Sequence, residues 1–418
     1  MAVAGSPGTG PEGGRLYLWV RMNGSGDSLL RNVRFMRLWV GQGISFVGDY
    51  VSMVALVILV VDISGSATAV GGVLVARLLP TLASPLFGVL ADRLDRRVVL
   101  VASDLARAVL VLGLVFVRDL IALYVLAFLI GLARAFFTPT VRAAFPSVVA
   151  EGNLTKANAI ISGTFSVSIT LGPALGGLLV TSVGVNAAFV LDSATYLISA
   201  ILLSRIPLPR PQGEREGTLV RELRAGFAYL GRARVPMALV MGAFLLNFTT
   251  DLTVPAEAFL ARETFGAGSV GYGLLVSVWG GGMIVGSALA AVLENRLNLI
   301  IIYLVSIFIW GLALVGTGLA PAFVIALGAL AVAGVSNGVD NVATDTVLQR
   351  RVPDVFLGRV FSVRFLGYTV GEALAYQVGG LTMDATGPRF VYLVAGVATA
   401  AAGLLILTLL ATASTGKR

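Results

Sequence analysis

The chain has 418 residues, of which 57% are hydrophobic and 12% charged, with a mean hydropathy of +0.92; soluble proteins are roughly half apolar and a quarter charged, so a soluble globular protein is excluded. A formal charge of +8 would raise nucleic acid as a partner in a soluble chain, but the basic residues gather in short segments between apolar runs, with no aromatic-interleaved basic stripe, which excludes that class as well. Cysteine and histidine are absent, which removes disulfides, thiol chemistry and Cys/His metal sites and leaves carboxylates as the only candidate proton carriers.

Residues 1–34 are rich in Gly, Pro and Ser and lack the long apolar stretch of a cleavable signal, so a disordered cytoplasmic tail is expected, with Met22 as an alternative start. Twelve apolar segments follow, each of about the length that crosses a bilayer core: 35–61, 67–91, 98–117, 120–145, 155–180 and 184–205, then 235–260, 269–293, 298–319, 322–348, 356–382 and 388–411. The expected organisation is an all-α membrane protein with an N-terminal six-helix bundle over 35–206, a cytoplasmic linker over 207–234, a C-terminal six-helix bundle over 235–411 and a cytoplasmic tail over 412–418. Within the linker, Leu219, Leu223, Phe227 and Leu230 recur at helical spacing with arginines on other faces, which suits an amphipathic helix on the membrane surface as well as a solvated connector. Expected outer loops hold only Arg118, Arg262 and Arg389, and the spans hold Arg77, Arg107, Arg134 and Arg364. The rest of the 30 basic residues fall on the other side, which puts both termini in the cytoplasm by the positive-inside rule. A shift of about 200 residues aligns Val70-Gly71 with Val270-Gly271, Asp49 with Asp251, Gly176-Gly177 with Gly379-Gly380 and Pro146 with Pro353, as expected of a chain built from an internal repeat.

An ionisable group deep in a span is costly and marks a pathway or a paired site. In the first span Gln42, Ser45, Asp49 and Ser52 share one helical face, which should look into a central cavity with Phe46. Asn247 and Asp251 repeat that pattern in the seventh span, and Asn337, Asn341 and Asp345, with Asp340 beside them, in the tenth. The eleventh offers Tyr368, Glu372 and Tyr376. Asp49 and Glu372 lead as proton carriers, followed by Asp251 and Asp345. Gln42, Ser45, Phe46, Arg134, Asn247, Asn337, Asn341, Tyr368 and Tyr376 are the candidates for a substrate cavity, and Phe244, Phe248 and Trp279 add aromatic surface. The alternative for either leading carboxylate is permanent pairing with Arg77, Arg107 or Arg134, since buried charges have partners. Asp104 and Arg107 lie three apart and can pair with each other, and Asp192 reads as structural.

Two motifs and a set of five further segments carry a family resemblance. G-V-L-A-D-R-L-D-R-R at 88–97 resembles the signature loop of the major facilitator superfamily, which implies that Gly88, Asp92, Arg93, Asp95, Arg96 and Arg97 form a latch between two bundles. L-G-P-A-L-G-G at 171–177 is similar to the core of the antiporter motif of exporters in that superfamily, through Gly172, Pro173, Gly176 and Gly177, although Ser168 stands where an upstream glycine is expected. Segments 34–49, 138–146, 154–159, 189–196 and 349–360 together resemble the macrolide and siderophore exporter branch over nearly the whole chain. The resemblance implies a twelve-helix major facilitator fold in the cytoplasmic membrane, acting as a monomer among membrane lipids and exporting amphipathic organic molecules in exchange for protons by alternating access. No cofactor, nucleic acid or enzyme chemistry is expected, and no phosphate-binding loop for ATP is present. The alternatives are a lysophospholipid flippase or nutrient importer on the same fold, and a membrane scaffold or receptor that transports nothing.

Overall fold

The computed structural model describes residues 29–84, 87, 94–208, 219–294 and 296–415. Most of the expected N-terminal tail, the latch residues Gly88, Asp92 and Arg93, and the first part of the linker lie outside them. Regular structure among the described residues is helical throughout: α1 (Val33–Ser64), α2 (Ala67–Leu82), α3 (Arg96–Gly113), α4 (Leu120–Val148), α5 (Leu154–Ser182), α6 (Val185–Ser204), α7 (Leu219–Leu230), α8 (Arg234–Asp251), α9 (Val254–Phe259), α10 (Gly268–Leu293), α11 (Leu299–Leu319), α12 (Phe323–Arg351), α13 (Asp354–Thr386) and α14 (Pro388–Thr415).

Among the described residues ten helical stretches are long and apolar enough to cross a membrane, α8 and α9 counting as one interrupted stretch. Two helices complete the twelve expected spans. The described part of α2 is a 16-residue apolar helix, and α13 runs 33 residues but carries Arg359, Arg364, Glu372 and Gln377 along its length, which lowers its apolarity below that of a lipid-facing span. Polar residues at the expected boundaries set the helix starts. Asn32, Ser66, Asp95, Asp119 and Asn298 each accept a hydrogen bond from a backbone N–H of the first turn they precede. At the end of α1, Gly65 takes φ 61°, a left-handed conformation that a side chain would strain, and returns its N–H to the Val61 carbonyl.

The helices sort into two bundles. In the first, α1 packs on α5 and α6, α2 on α4, and α3 on α4 and α6; in the second, α8 packs on α13 and α14, α10 on α12, and α11 on α12 and α14. The bundles meet chiefly through two helix pairs, α2 with α13 and α5 with α10. Both are built on glycines, because lipid supplies no hydrophobic drive and helices associate by close backbone approach. A Cβ at Gly71 would lie 2.2 Å from the Tyr376 carbonyl oxygen, and one at Gly273 would lie 2.2 Å from the Pro173 carbonyl oxygen. Likewise Gly177 sits 2.4 Å in the same sense from the Ser269 carbonyl, and Gly380 2.6 Å from that of Ala67. These contacts exchange under a shift of 202–203 residues, which is the internal repeat made physical. The structural counterpart of Gly71 is therefore Gly273, two residues beyond the Gly271 that the bare sequence shift selects. Gly172 and Gly176 use the other face of α5 against Tyr50 and Val51 of α1. Pro173 has no N–H to donate, and the N–H of Ala174 beside it donates to Ser277 Oγ of α10 at 2.9 Å, tying α5 across the interface.

The linker helix forms as α7, but it lies on protein. Leu230 is buried, Gly226 abuts the Arg359 backbone, and Tyr229 stacks on Phe356 of α13 at 4.7 Å, while Phe227 remains half exposed. Of the latch, the described residues do local work. Asp95 caps α3 by accepting from Arg97 and Val98 N–H, and Arg96 Nη1 donates to the Ala143 carbonyl of α4 within the first bundle.

At one end of the molecule, opposite the end that carries Leu29 and Thr415, polar contacts join the bundles. Arg262 Nη1 donates to Asp62 Oδ1 at 2.7 Å. Asp384 of α13 accepts from Ser66 Oγ at 2.6 Å, Ala67 N–H at 2.7 Å and Thr68 N–H at 3.0 Å, so it caps α2 of the other bundle, where the helix dipole favours a negative charge. Asp384 is exposed and stands past the apolar part of α13; its slight burial works against ionisation, but the bonds from Ser66, Thr68 and Ala67 outweigh it and hold the carboxyl below its ordinary value of 3.8. A depressed pKa contributes to the closed end fully above 3.8 and is lost only as pH falls through the lower, folded value. Closure of this end is therefore expected to be indifferent to pH between about 5 and 8, and Asp384→Ala to loosen it; cysteine crosslinking of positions 62 and 262 in the two backgrounds checks both.

Candidate functional site

Facing groups of the two bundles differ sharply in charge. In the first bundle Asp49 sits on α1, 11% exposed, and its Oδ1 accepts from Arg77 Nη2 of α2 at 3.4 Å and from the Tyr196 hydroxyl of α6. Arg134 of α4 approaches Asp49 Oδ2 at 4.0 Å with its side chain 42% exposed. Behind them Arg107 pairs with Asp104 one helical turn away and lies between the rings of Phe137 and Tyr196, 4.2 and 4.3 Å from their centroids. Asp192 is fully buried; its Oδ1 accepts from Thr195 at 3.2 Å and its Oδ2 has no protein partner. Gln42 and Ser45 are also buried inside this bundle, on a helix whose Gly41 and Gly48 abut Ser199, Thr195 and Asp192 of α6. Phe46 packs edge-on against Phe165 at 5.4 Å.

In the second bundle Asp251 and Glu372 pair with no arginine among the described residues. Asp251 ends α8, where the span breaks at Leu252–Thr253 before Pro255 restarts it as α9. Its Oδ2 is buried without a partner, and the charges of Glu372 and Glu257 act on it. Glu372 of α13 accepts from the Tyr376 hydroxyl at 2.6 Å, and the Arg134 charge reaches it across the bundles. Tyr368, one turn before Glu372, is 40% exposed, and the intervening Gly371 packs against Phe244 of α8. Phe244 and Phe248 stack at 6.4 Å along α8, and Asn247 between them spends its amide on the Ala243 carbonyl. Asn341 donates to Asn337 Oδ1 at 3.3 Å along α12.

The repeat explains the asymmetry. Helices α4 and α12 are both 29 residues long, and the shift of 202–203 residues fixed by the glycine contacts carries Asp49 onto Asp251. The same shift carries Arg77 onto Trp279, Arg134 onto Asn337 and Tyr196 onto Thr399. Every partner that neutralises Asp49 has a neutral or shorter residue at the matching place around Asp251. Further back, Asp104, Arg107 and Asp192 map onto Ile307, Trp310 and Ala395, all buried, so the second bundle has an apolar core where the first has an ionic one.

Asp345 stands apart from this cleft. It pairs with Arg364 of α13, with its own side chain 45% exposed. Asp340 on the same helix is buried with Oδ1 unpartnered. Sequence reasoning passed over Glu257, although it is the second carboxylate of the same span, six residues after Asp251. It also passed over Ser277 and Asp384, whose roles depend on a partner in the other bundle.

Two six-helix halves related as a parallel repeat, joined by glycine seams, closed at one end and with charged groups meeting at mid-depth, have the architecture of a membrane transporter. The chain belongs to the family described as transmembrane secretion effector, whose model matches residues 25–415, within the major facilitator superfamily. It is 26% identical over 376 residues to macrolide efflux protein A of Streptococcus pyogenes, covering 87% of this chain and 93% of that protein. It is 30% identical over 334 residues to a putative bacilysin exporter, BacE, of Bacillus amyloliquefaciens, covering 78% and 83%. Among solved structures the nucleoside transporter NupG superposes with a TM-score of 0.77 at 12% identity over 90% of this chain and 99% of that one, which establishes the fold. The protein is a multi-pass membrane transporter and not an enzyme.

Proposed function

We propose that the chain exports small amphipathic organic molecules in exchange for protons, with both termini in the cytoplasm and the closed end outside. The observation that carries this reading is the pair of carboxylates, Asp251 and Glu372, in the cleft between bundles with no cation within ion-pair distance among the described residues. An uncompensated charge in a dry cavity is expensive. A proton or a cationic substrate group relieves that cost, and the two cannot do so at the same oxygen at once, which is exchange. The ion-paired Asp49 acts differently. Its carboxylate holds α2 and α4 together through Arg77 and Arg134, so it sets the field of the cleft and the geometry of the bundle.

Removing Asp49 leaves a largely buried Arg77 alone. Asp49→Ala is expected to cost about 3–5 kcal/mol, the range for stripping one partner from a buried pair, and Asp49→Ala with Arg77→Met to recover part of it; thermal unfolding in detergent decides. Export is favoured over import by the exporters among the relatives. Expression in a pump-deficient bacterium tests it: the wild-type chain should raise resistance to members of a panel of lipophilic drugs, and Asp251→Asn should not. A panel on which expression lowers resistance would favour import.

A further inference from the structure

The cleft is polarised as well as charged. On its first-bundle wall the accessible cation is Arg134, whose side chain is 42% exposed and whose ion-pair contact is a long 4.0 Å to a carboxylate already held by Arg77 and Tyr196. Asp49 is thus held by Arg77, and Arg134 is left as the guanidinium of this wall that is open to another partner. On the facing wall Asp251 and Glu372 make no ion pair among the described residues: Glu372 accepts only from the Tyr376 hydroxyl, and around Asp251 the repeat has placed Trp279 and Asn337 where the first bundle has Arg77 and Arg134 around Asp49. Gly71 of α2 abuts the backbone of Tyr376, one turn after Glu372, and Gly131 of α4, three residues before Arg134, abuts the backbone of Arg77 on α2, so the two walls stand at one depth. Phe244, Phe248 and Tyr368 add apolar surface on the carboxylate side.

A simple anion in this space would meet Arg134 on one side and two carboxylates on the other. A simple cation would satisfy the carboxylates and leave Arg134 facing like charge. A molecule with both charges, separated by an apolar body, satisfies each wall. We propose that the cleft binds a zwitterionic amphiphile, its carboxylate on Arg134 and its ammonium on Asp251 and Glu372. This rests on the cleft being the substrate site of the exchanger, and it identifies the ammonium as the group that competes with the proton. Guanidinium binds carboxylate in two-pronged fashion, which gives the Arg134 end its directionality.

Apolar dipeptides supply one skeleton in three charge states: the free form, its methyl ester (cation only) and its N-acetyl derivative (anion only). Binding to the full-length chain in detergent is measured by calorimetry at one pH, from alanyl-alanine to phenylalanyl-phenylalanine. At least one free dipeptide is expected to bind about tenfold more tightly than both its blocked forms, in line with the cost of leaving one buried charged group unpaired. Arg134→Gln should bring the free form down to the level of the ester without weakening the ester, and Glu372→Gln should bring it down to the level of the N-acetyl form. Arg134→Lys, which keeps the charge, should restore most of the difference, and thermal unfolding confirms that each variant is folded. An ester that binds as well as the free peptide, an Arg134→Gln loss shared equally by all three forms, or no saturable binding by any free dipeptide overturns the proposal. No gradient is applied, so failure here leaves proton exchange standing, and failure of gradient-driven transport leaves this binding result standing.

Discussion

Glu372→Gln and Asp251→Asn are each expected to slow gradient-driven export by roughly a hundredfold, the lower end of what removing a positioned proton-transfer group costs, while leaving the fold intact. Both substitutions keep the side chain's shape. Glu372 accepts one hydrogen bond, from Tyr376 at 2.6 Å, and a glutamine oxygen accepts it equally well. Asp251 has one oxygen with no protein partner, so an amide there loses no bond. What both variants lose is the capacity to alternate between proton and cation. Downhill, gradient-independent counterflow should therefore survive better than uphill export, and comparing the two in reconstituted vesicles separates a coupling defect from a general loss of activity. Equal loss of both would place Glu372 and Asp251 in structure alone.

Enlarging a seam glycine is expected to have the second large effect. A Cβ at Gly273 lies 2.2 Å from the Pro173 carbonyl oxygen, and one at Gly71 lies 2.2 Å from that of Tyr376. Both obstacles are backbone, which cannot rotate away. Gly273→Leu should cost about 1–3 kcal/mol through overpacking, charged to the arrangement in which the seams are closed. A cost of that size shifts a two-state equilibrium roughly 5- to 150-fold, so the variant should populate the form open at the Asp62–Arg262 end. Accessibility of a cysteine placed at Ala67, which is buried in the closed arrangement and bonds Asp384 through its backbone alone, to a membrane-impermeant maleimide reads this directly. Gly71→Leu should behave alike, since the repeat makes the two positions equivalent, whereas a difference between them would show that the seams do not open together.

The spans, the two halves and the mid-membrane charges are legible in the sequence because each is a local property: a run of apolar residues, a spacing, or a carboxylate where lipid should be. Partnership is not local. Asp49 reads as a proton carrier on α1 alone, but Arg77 and Arg134 reach it from α2 and α4, and only packing shows that the charge is compensated. Gln42, Ser45, Asp49 and Ser52 do share a helical face, and Gly41 and Gly48 beside them turn much of it toward α6. That is a bundle interior, which helical spacing cannot tell from a cavity wall. The Gly172–Gly177 motif reads as close packing, and the structure divides it between two neighbours, α1 and α10. Asp384 caps a helix more than 300 residues earlier in the chain, which no window along the sequence can detect. Asp251 is the repeat counterpart of Asp49 with Trp279 and Asn337 in place of the two arginines, whereas Glu372 has no acidic counterpart, Ile169 or Thr170 standing at the matching place, so the repeat singles out Asp251 alone.

The most direct test of proton-driven export uses everted membrane vesicles from cells expressing the wild-type chain, loaded by respiration so that their interior is acidic. A radiolabelled macrolide and one amphipathic zwitterion are supplied outside. Accumulation that collapses when nigericin dissipates the pH gradient, accompanied by substrate-dependent alkalinisation of the lumen, is the expected result. Accumulation indifferent to nigericin, or lumenal pH that does not respond to substrate, would contradict exchange with protons.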